Sequence, residues 1–217
     1  MFDKLEDQLI MSVNPNLVSY FAKIRPWHRK LKFLKRIGMG RAYDLIKTKQ
    51  GLIFNKPLKL KPFSEHEKYI FIKELWDNDF DYTRTIRYKR FNEMLESGKT
   101  ISMPVKGYVI ADARKLTAYF QDYVDLLKSM RTNGYLSDKS QEELQVIIGP
   151  EGELIKASKG RHRLAAAQIA QIAVIPVRVR HIHAEWINKN AQKADRALSF
   201  EDKIIIALDK TRQMYGN

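Results

Sequence analysis

The sequence contains no cysteine. That excludes disulfides, thiolate nucleophiles and Cys-ligated zinc, and it suits a reducing cytoplasm. Long apolar runs are also missing. The longest, such as Ile204-Ile205-Ile206-Ala207-Leu208, fall far short of the ~20 residues a spanning helix needs. Met1-Phe2-Asp3-Lys4-Leu5-Glu6-Asp7 mixes charges of both signs. It lacks the apolar stretch and small-residue cleavage site of a secretory leader. The expectation is a cytoplasmic protein, free in solution or peripheral at the inner membrane face. No internal repeat and no low-complexity tract occurs in the 217 residues.

Acids are the other shortage. Asp and Glu number 25 against 39 Lys and Arg, a net charge of +14 and a pI near 9.8. Such a balance favours anionic partners. The excess is concentrated: residues 1–61 hold 14 Lys and Arg against 4 Asp and Glu. Within Leu17 to Ile46, the aromatics Tyr20, Phe21, Trp27, Phe33 and Tyr43 are threaded through nine Lys, Arg and His. This pattern suits an anionic membrane surface, an acidic glycan or single-stranded nucleic acid. It equally suits a helical layer whose aromatics pack and whose charges face water. Nonspecific nucleic-acid binding at low salt is expected of any protein this basic.

What the chain does have is an unusual helix start. Lys159-Gly160-Arg161-His162-Arg163 precedes the Ala-rich segment Leu164-Ala165-Ala166-Ala167, and the strand-like run Val174-Ile175-Pro176-Val177-Arg178-Val179 follows. A helix N-terminus exposes backbone N–H groups and the positive end of the macrodipole. Basic residues are ordinarily unfavourable there, so several in succession call for an anion, phosphate above all. The bland alternative is a solvated surface helix. Ser158 adds a hydroxyl at the rim.

Elsewhere the reading is coarse. Asn14-Pro15-Asn16 breaks a short opening helix, and Pro26 suits the first turn of another. Residues 51–63 form loop or short strand. A helix starts near Ser64, with Glu67 completing a capping box, and runs to Trp76. Another spans Tyr82 to Glu96. Val105 to Ile110 is a strand, and Asp112 caps a long amphipathic helix from Ala113 to Thr132 that closes at Asn133-Gly134. Leu144 to Ile148 and Glu153 to Ala157 flank Gly149-Pro150-Glu151-Gly152 as a β-hairpin. A helix follows from Arg163 to Ile172, a strand from Val174 to His181, and an amphipathic tail helix from about Phe200 to Met214.

This order over residues 103–182 resembles the ParB/sulfiredoxin superfamily: strand, helix, hairpin, Gly-x-His-Arg at a helix start, and a strand carrying Ile175-Pro176-Val177. The resemblance implies an α+β fold, a mixed sheet with helices, preceded by a basic helical region. It divides the chain into a basic, mainly helical region (1–99), a ParB/sulfiredoxin-like domain (100–186) and a helical tail (187–217). It implies nucleotide phosphates, ATP-like and with Mg²⁺, bound at Lys159, Gly160, Arg161, His162 and Arg163. Phosphoryl transfer to a sugar or lipid-linked hydroxyl is then one expectation. A nucleotide-sensing or nucleic-acid-binding adaptor without catalysis is the other. Sulfiredoxin chemistry needs a cysteine where this chain has Arg161. Free-serine kinases of the fold carry an acid where it has Lys159. ParB adds a helix-turn-helix domain, and 35 residues follow Ile182, so that domain is not expected. The layout also resembles uncharacterised bacterial proteins associated with surface-polysaccharide gene clusters.

Other candidates are weaker. Asp112 and Arg114 stand at the possible rim of the phosphate site, although Asp112 serves equally as a cap. Asp77, Asp79 and Asp81 alternate as metal ligands can, but Tyr82 and Tyr88 occupy the places where a calcium loop needs Gly and Glu; the readings left are Mg²⁺ beside a nucleotide and a plain acidic loop in which Asp81 caps a helix. His181 and His183 share one strand face, with Glu185 following; a third metal ligand is not evident, and the competing reading is a strand end with solvated histidines. Glu151 and Glu153 are the acids nearest the motif as general bases, but a hairpin tip normally points away.

Overall fold

The computed structural model describes residues 3–22, 51–103, 107–136, 144–191 and 198–215. In chain order the elements are α1 (Asp3–Gln8), β1 (Ile10–Val13), β2 (Tyr20–Phe21), β3 (Ile53–Phe54), β4 (Lys61–Pro62), α2 (Glu67–Asp77), α3 (Ile86–Glu96), β5 (Ile101–Met103), β6 (Tyr108–Ile110), α4 (Ala113–Asn133), β7 (Gln145–Ile148), β8 (Leu154–Lys156), α5 (Arg161–Ile169), β9 (Ile175–His183), α6 (Ala184–Ala191) and α7 (Phe200–Tyr215). The protein is α+β with a mixed sheet. No helix among the described residues is long and apolar enough to cross a membrane.

Two compact units are present. One takes Met1–Phe63, Ser140–Arg161 and Ala173–Asn217; the other takes Ser64–Lys139 and His162–Ile172. These units cut across the contiguous domains expected from sequence. The cause is strand pairing between distant stretches. The first unit holds a sheet in the order β1-β9-β7-β8-β2-β4, with β3 also on β9. β7 and β8 form the expected hairpin, antiparallel, with Ile147 opposite Ile155. β9 runs parallel to β7 and β3 and antiparallel to β1. β2 runs parallel to β8 and antiparallel to β4. Val146, Ile147 and Ile148 are all buried, the continuous apolar run of a strand covered on both faces.

The N-terminal stretch therefore departs from expectation. Its opening helix stops at Gln8, and Ile10–Val13 is a strand whose Met11 and Val13 are buried against β9. Residues 3–22 contribute β1 and β2 to the sheet where a helical region was expected, while β3 and β4 fall in residues 51–63, expected as loop or short strand. The basic aromatic segment centred on Trp27, with its helix start at Pro26, lies outside the described residues. Farther on, α6 and α7 close the unit through Trp186, whose Nε1 donates to Ala207 O at 3.1 Å and Thr211 Oγ1 at 3.0 Å.

The second unit is mainly helical, with the two-stranded β5–β6 ladder. Asp112 caps α4 as expected: its carboxylate accepts from Lys115 N at 2.8 Å. The helix ends at Gly134, whose φ is +71°. α4 buries Leu116, Tyr119, Phe120, Tyr123, Val124, Leu127 and Met130. Phe71, Tyr82, Tyr88 and Phe91 meet Phe120 edge-on or stacked, with centroids 5.3–6.1 Å apart. Two helix starts are displaced. A 3-10 turn occupies Phe63–Glu65, and His66, not Ser64, caps α2 by accepting from Lys68 N through Nδ1. The helix expected over Tyr82 to Glu96 is split by Thr85, whose Oγ1 accepts from Tyr88 N and starts α3 afresh.

Candidate functional site

The residues before α5 form a closed loop on the sheet. Ala157 N donates to Gln145 O at 3.0 Å, and Gln145 N donates to Lys159 O at 3.3 Å. The chain then turns through Gly160 at φ +78°, the left-handed region that favours glycine. A Cβ there would meet Leu144 Cα at 3.0 Å. Glycine is thus required twice over, by conformation and by closeness of the neighbouring backbone. Immediately after it α5 begins at Arg161, two residues earlier than the periodicity predicts.

This start places Arg161, His162 and Arg163 together in the first turn, with no acid among them. Gly160 supplies no capping side chain. Leu164, Ala165, Ala166 and Ala167 are fully buried, so the Ala-rich body of the helix anchors it. The three motif side chains are half-buried, while Ser158 and Lys159 are exposed. Arg163 Nη1 is buried with no hydrogen-bond partner among the described residues. A buried guanidinium nitrogen without an acceptor is costly. His162 lies against Tyr123, centroid to centroid 4.6 Å, and edge-on to Phe71 at 6.4 Å. It ties the first turn of α5 into the aromatic cluster. Burial pushes the Tyr123 phenol well above its ordinary range, Tyr119 adds to the rise, and the Arg87 guanidinium opposes it.

Lys156 escaped the sequence reading. Its side chain is completely buried, and its Nζ donates to Gln145 O at 2.6 Å and to Lys159 O. The available signal was a lysine inside the apolar run Leu154-Ile155-Lys156-Ala157.

The remaining candidates are not gathered at the motif. Asp112 is an exposed cap and Arg114 is exposed. Neither makes a hydrogen bond or ion pair with the motif among the described residues. Asp77 pairs with Lys73 at 2.6 Å, Asp79 with Arg131 at 3.8 Å, and Asp81 accepts from Thr83 N at 3.1 Å. The three acids thus turn to separate partners. The Asp81 carboxyl is held below its usual range, chiefly by the Thr83 hydroxyl. Glu151 pairs with Lys189, and Glu153 accepts from Glu151 N at 2.9 Å inside the hairpin. His181 and His183 are buried rather than solvated. His181 Nδ1 lies 2.5 Å from Gly51 O, and the Phe54 ring stands edge-on to both imidazoles. No group of three His, Asp or Glu able to hold a metal occurs among the described residues.

Comparison with known proteins returns no match: no family model fits the chain, and no curated protein or solved structure resembles it significantly.

Proposed function

We propose that the protein binds the phosphate groups of a nucleotide at the start of α5, with Gly160–Arg163 as the cradle and Lys159 at its rim. One observation carries this reading. The first turn of α5 holds two arginines and a histidine but no acid, and Arg163 Nη1 is buried with no hydrogen-bond partner among the described residues. A phosphate would accept from Arg163 and from the helix amides, and would reverse the unfavourable meeting of positive side chains with the helix dipole. The element order β6, α4, β7, β8, α5, β9 supports a ParB/sulfiredoxin-like arrangement.

A binding module is favoured over a phosphotransferase. A base must reach its hydroxyl within hydrogen-bond distance, and the two acids read as general bases turn to other partners: Glu151 to Lys189, Glu153 to the hairpin. The positive excess of residues 1–61 supports an additional anionic contact, with membrane or glycan.

A thermal-shift series with ATP, CTP, ADP and tripolyphosphate tests the reading. Ligand at a hundredfold excess over its Kd stabilises by about 2.7 kcal/mol, or roughly 5–10 °C for a chain of this size. Arg163→Ala should lose most of that shift. An unmoved wild type, or an equal shift in the variant, would sink the proposal.

A further inference from the structure

We infer that Lys156 is the positioning residue of this phosphate site, setting the turn from which α5 starts; the inference rests on the function proposed above. Lys156 closes β8, opposite Val146 on β7 and Phe21 on β2. It is one of the largest completely buried side chains in the described protein. An ammonium is costly to bury unless its donors are satisfied. Two of those donors go to backbone carbonyls, Gln145 O at 2.6 Å and Lys159 O.

The choice of carbonyls is informative. Gln145 is the first residue of β7, and Lys159 is the residue before Gly160. Both carbonyls already accept backbone donors, Ala157 N and Gln145 N. The ammonium therefore fills second lone-pair positions and draws the ends of one loop together. It fixes the peptide that leads into Gly160, whose positive φ and contact with Leu144 leave little room for another path. Directed amides are what make a helix start an anion site. Lys156 holds the Lys159 carbonyl and acts on the anion through the backbone, so it is not itself a ligand.

The test compares wild type, Lys156→Met and Lys156→Arg, with tripolyphosphate and ATP as probes. Lys156→Met keeps the length of the side chain and removes the donors. Its far-UV circular dichroism should match the wild type, while its affinity for tripolyphosphate falls about tenfold, the order of one lost hydrogen bond to a charged group. Lys156→Arg retains donors and should recover part of the affinity. A merely structural lysine would change the melting temperature of the free protein and leave affinity, measured well below that temperature, unchanged. That result would overturn the inference while leaving the proposed function standing. A wild type that binds neither probe would overturn both. Should Lys156→Met fail to fold, the lysine ammonium NMR signals of the wild type decide the matter. Burial should keep the Lys156 resonance visible, and saturating tripolyphosphate should shift it along with the amides of Gly160–Arg163. Amide shifts with an unmoved Lys156 signal would refute the positioning role.

Discussion

Gly160 owes its place to backbone geometry, Arg163 to an unanswered donor and Lys156 to two carbonyls. Tyr123 adds a measurable consequence. Its phenol is held above the ordinary value by burial first and by Tyr119 second. In the unfolded chain the same group ionises near pH ~10. The folded value is the higher one, so this contribution to stability is complete below about pH 10 and is lost as pH rises through the folded value. Tyr215, raised by burial and by the Glu153 charge, acts in the same direction. Urea titrations at about pH 8 and pH 10.5 should show a smaller loss of stability in Tyr123→Phe than in wild type. An identical loss would mean that Tyr123 is not the alkaline-sensitive group.

At the scale of elements, legibility followed the range of the forces involved. α4 was readable because its signals are local: a capping Asp112, a periodic apolar face and a closing Gly134. The β7–β8 hairpin was readable from its Gly-Pro-Glu-Gly tip. β1 was not, since Ile10–Val13 is short and its partner, β9, lies at the far end of the chain. The cap at His66 was missed because Ser64 offers the commoner signal. The burial of His181 and His183 was missed because Gly51 and Phe54, which receive them, are remote in sequence. Of the candidate site, the motif letters were legible and the buried lysine beneath them was not. The hairpin tip depends on such a remote neighbour too. Gly152 has φ +86°, and a Cβ there would meet the Trp186 indole at 2.6 Å. Trp186 cannot easily yield, held as it is by Ala207 and Thr211. Gly152→Ala should therefore destabilise by at least about 2 kcal/mol, from left-handed strain and overpacking together. Urea unfolding measures this, and a variant within about 0.5 kcal/mol of wild type would contradict the packing described.

At the scale of the whole molecule, the first residues and the last belong to one structure. Leu5, Leu9, Met11, Val13 and Val18 are buried, and each such side chain is worth about 1.5–3 kcal/mol on burial. Their sum is comparable with the entire stability of an ordinary domain, about 5–15 kcal/mol. Deletion of residues 1–22 should therefore abolish cooperative unfolding, as followed by circular dichroism, rather than detach a dispensable arm. A truncated protein that still melts sharply and binds tripolyphosphate would refute this. The pairing of β1 with β9 also sets a clock on the ribosome. At about 5–20 residues per second, some ten to thirty seconds separate the synthesis of Val13 from that of Ile175, its partner in register. Throughout that interval the nascent chain carries Met11 and Val13 without the strand that will cover them. Demand for a holding chaperone should accordingly peak before residues 175–183 emerge, and fall once they do.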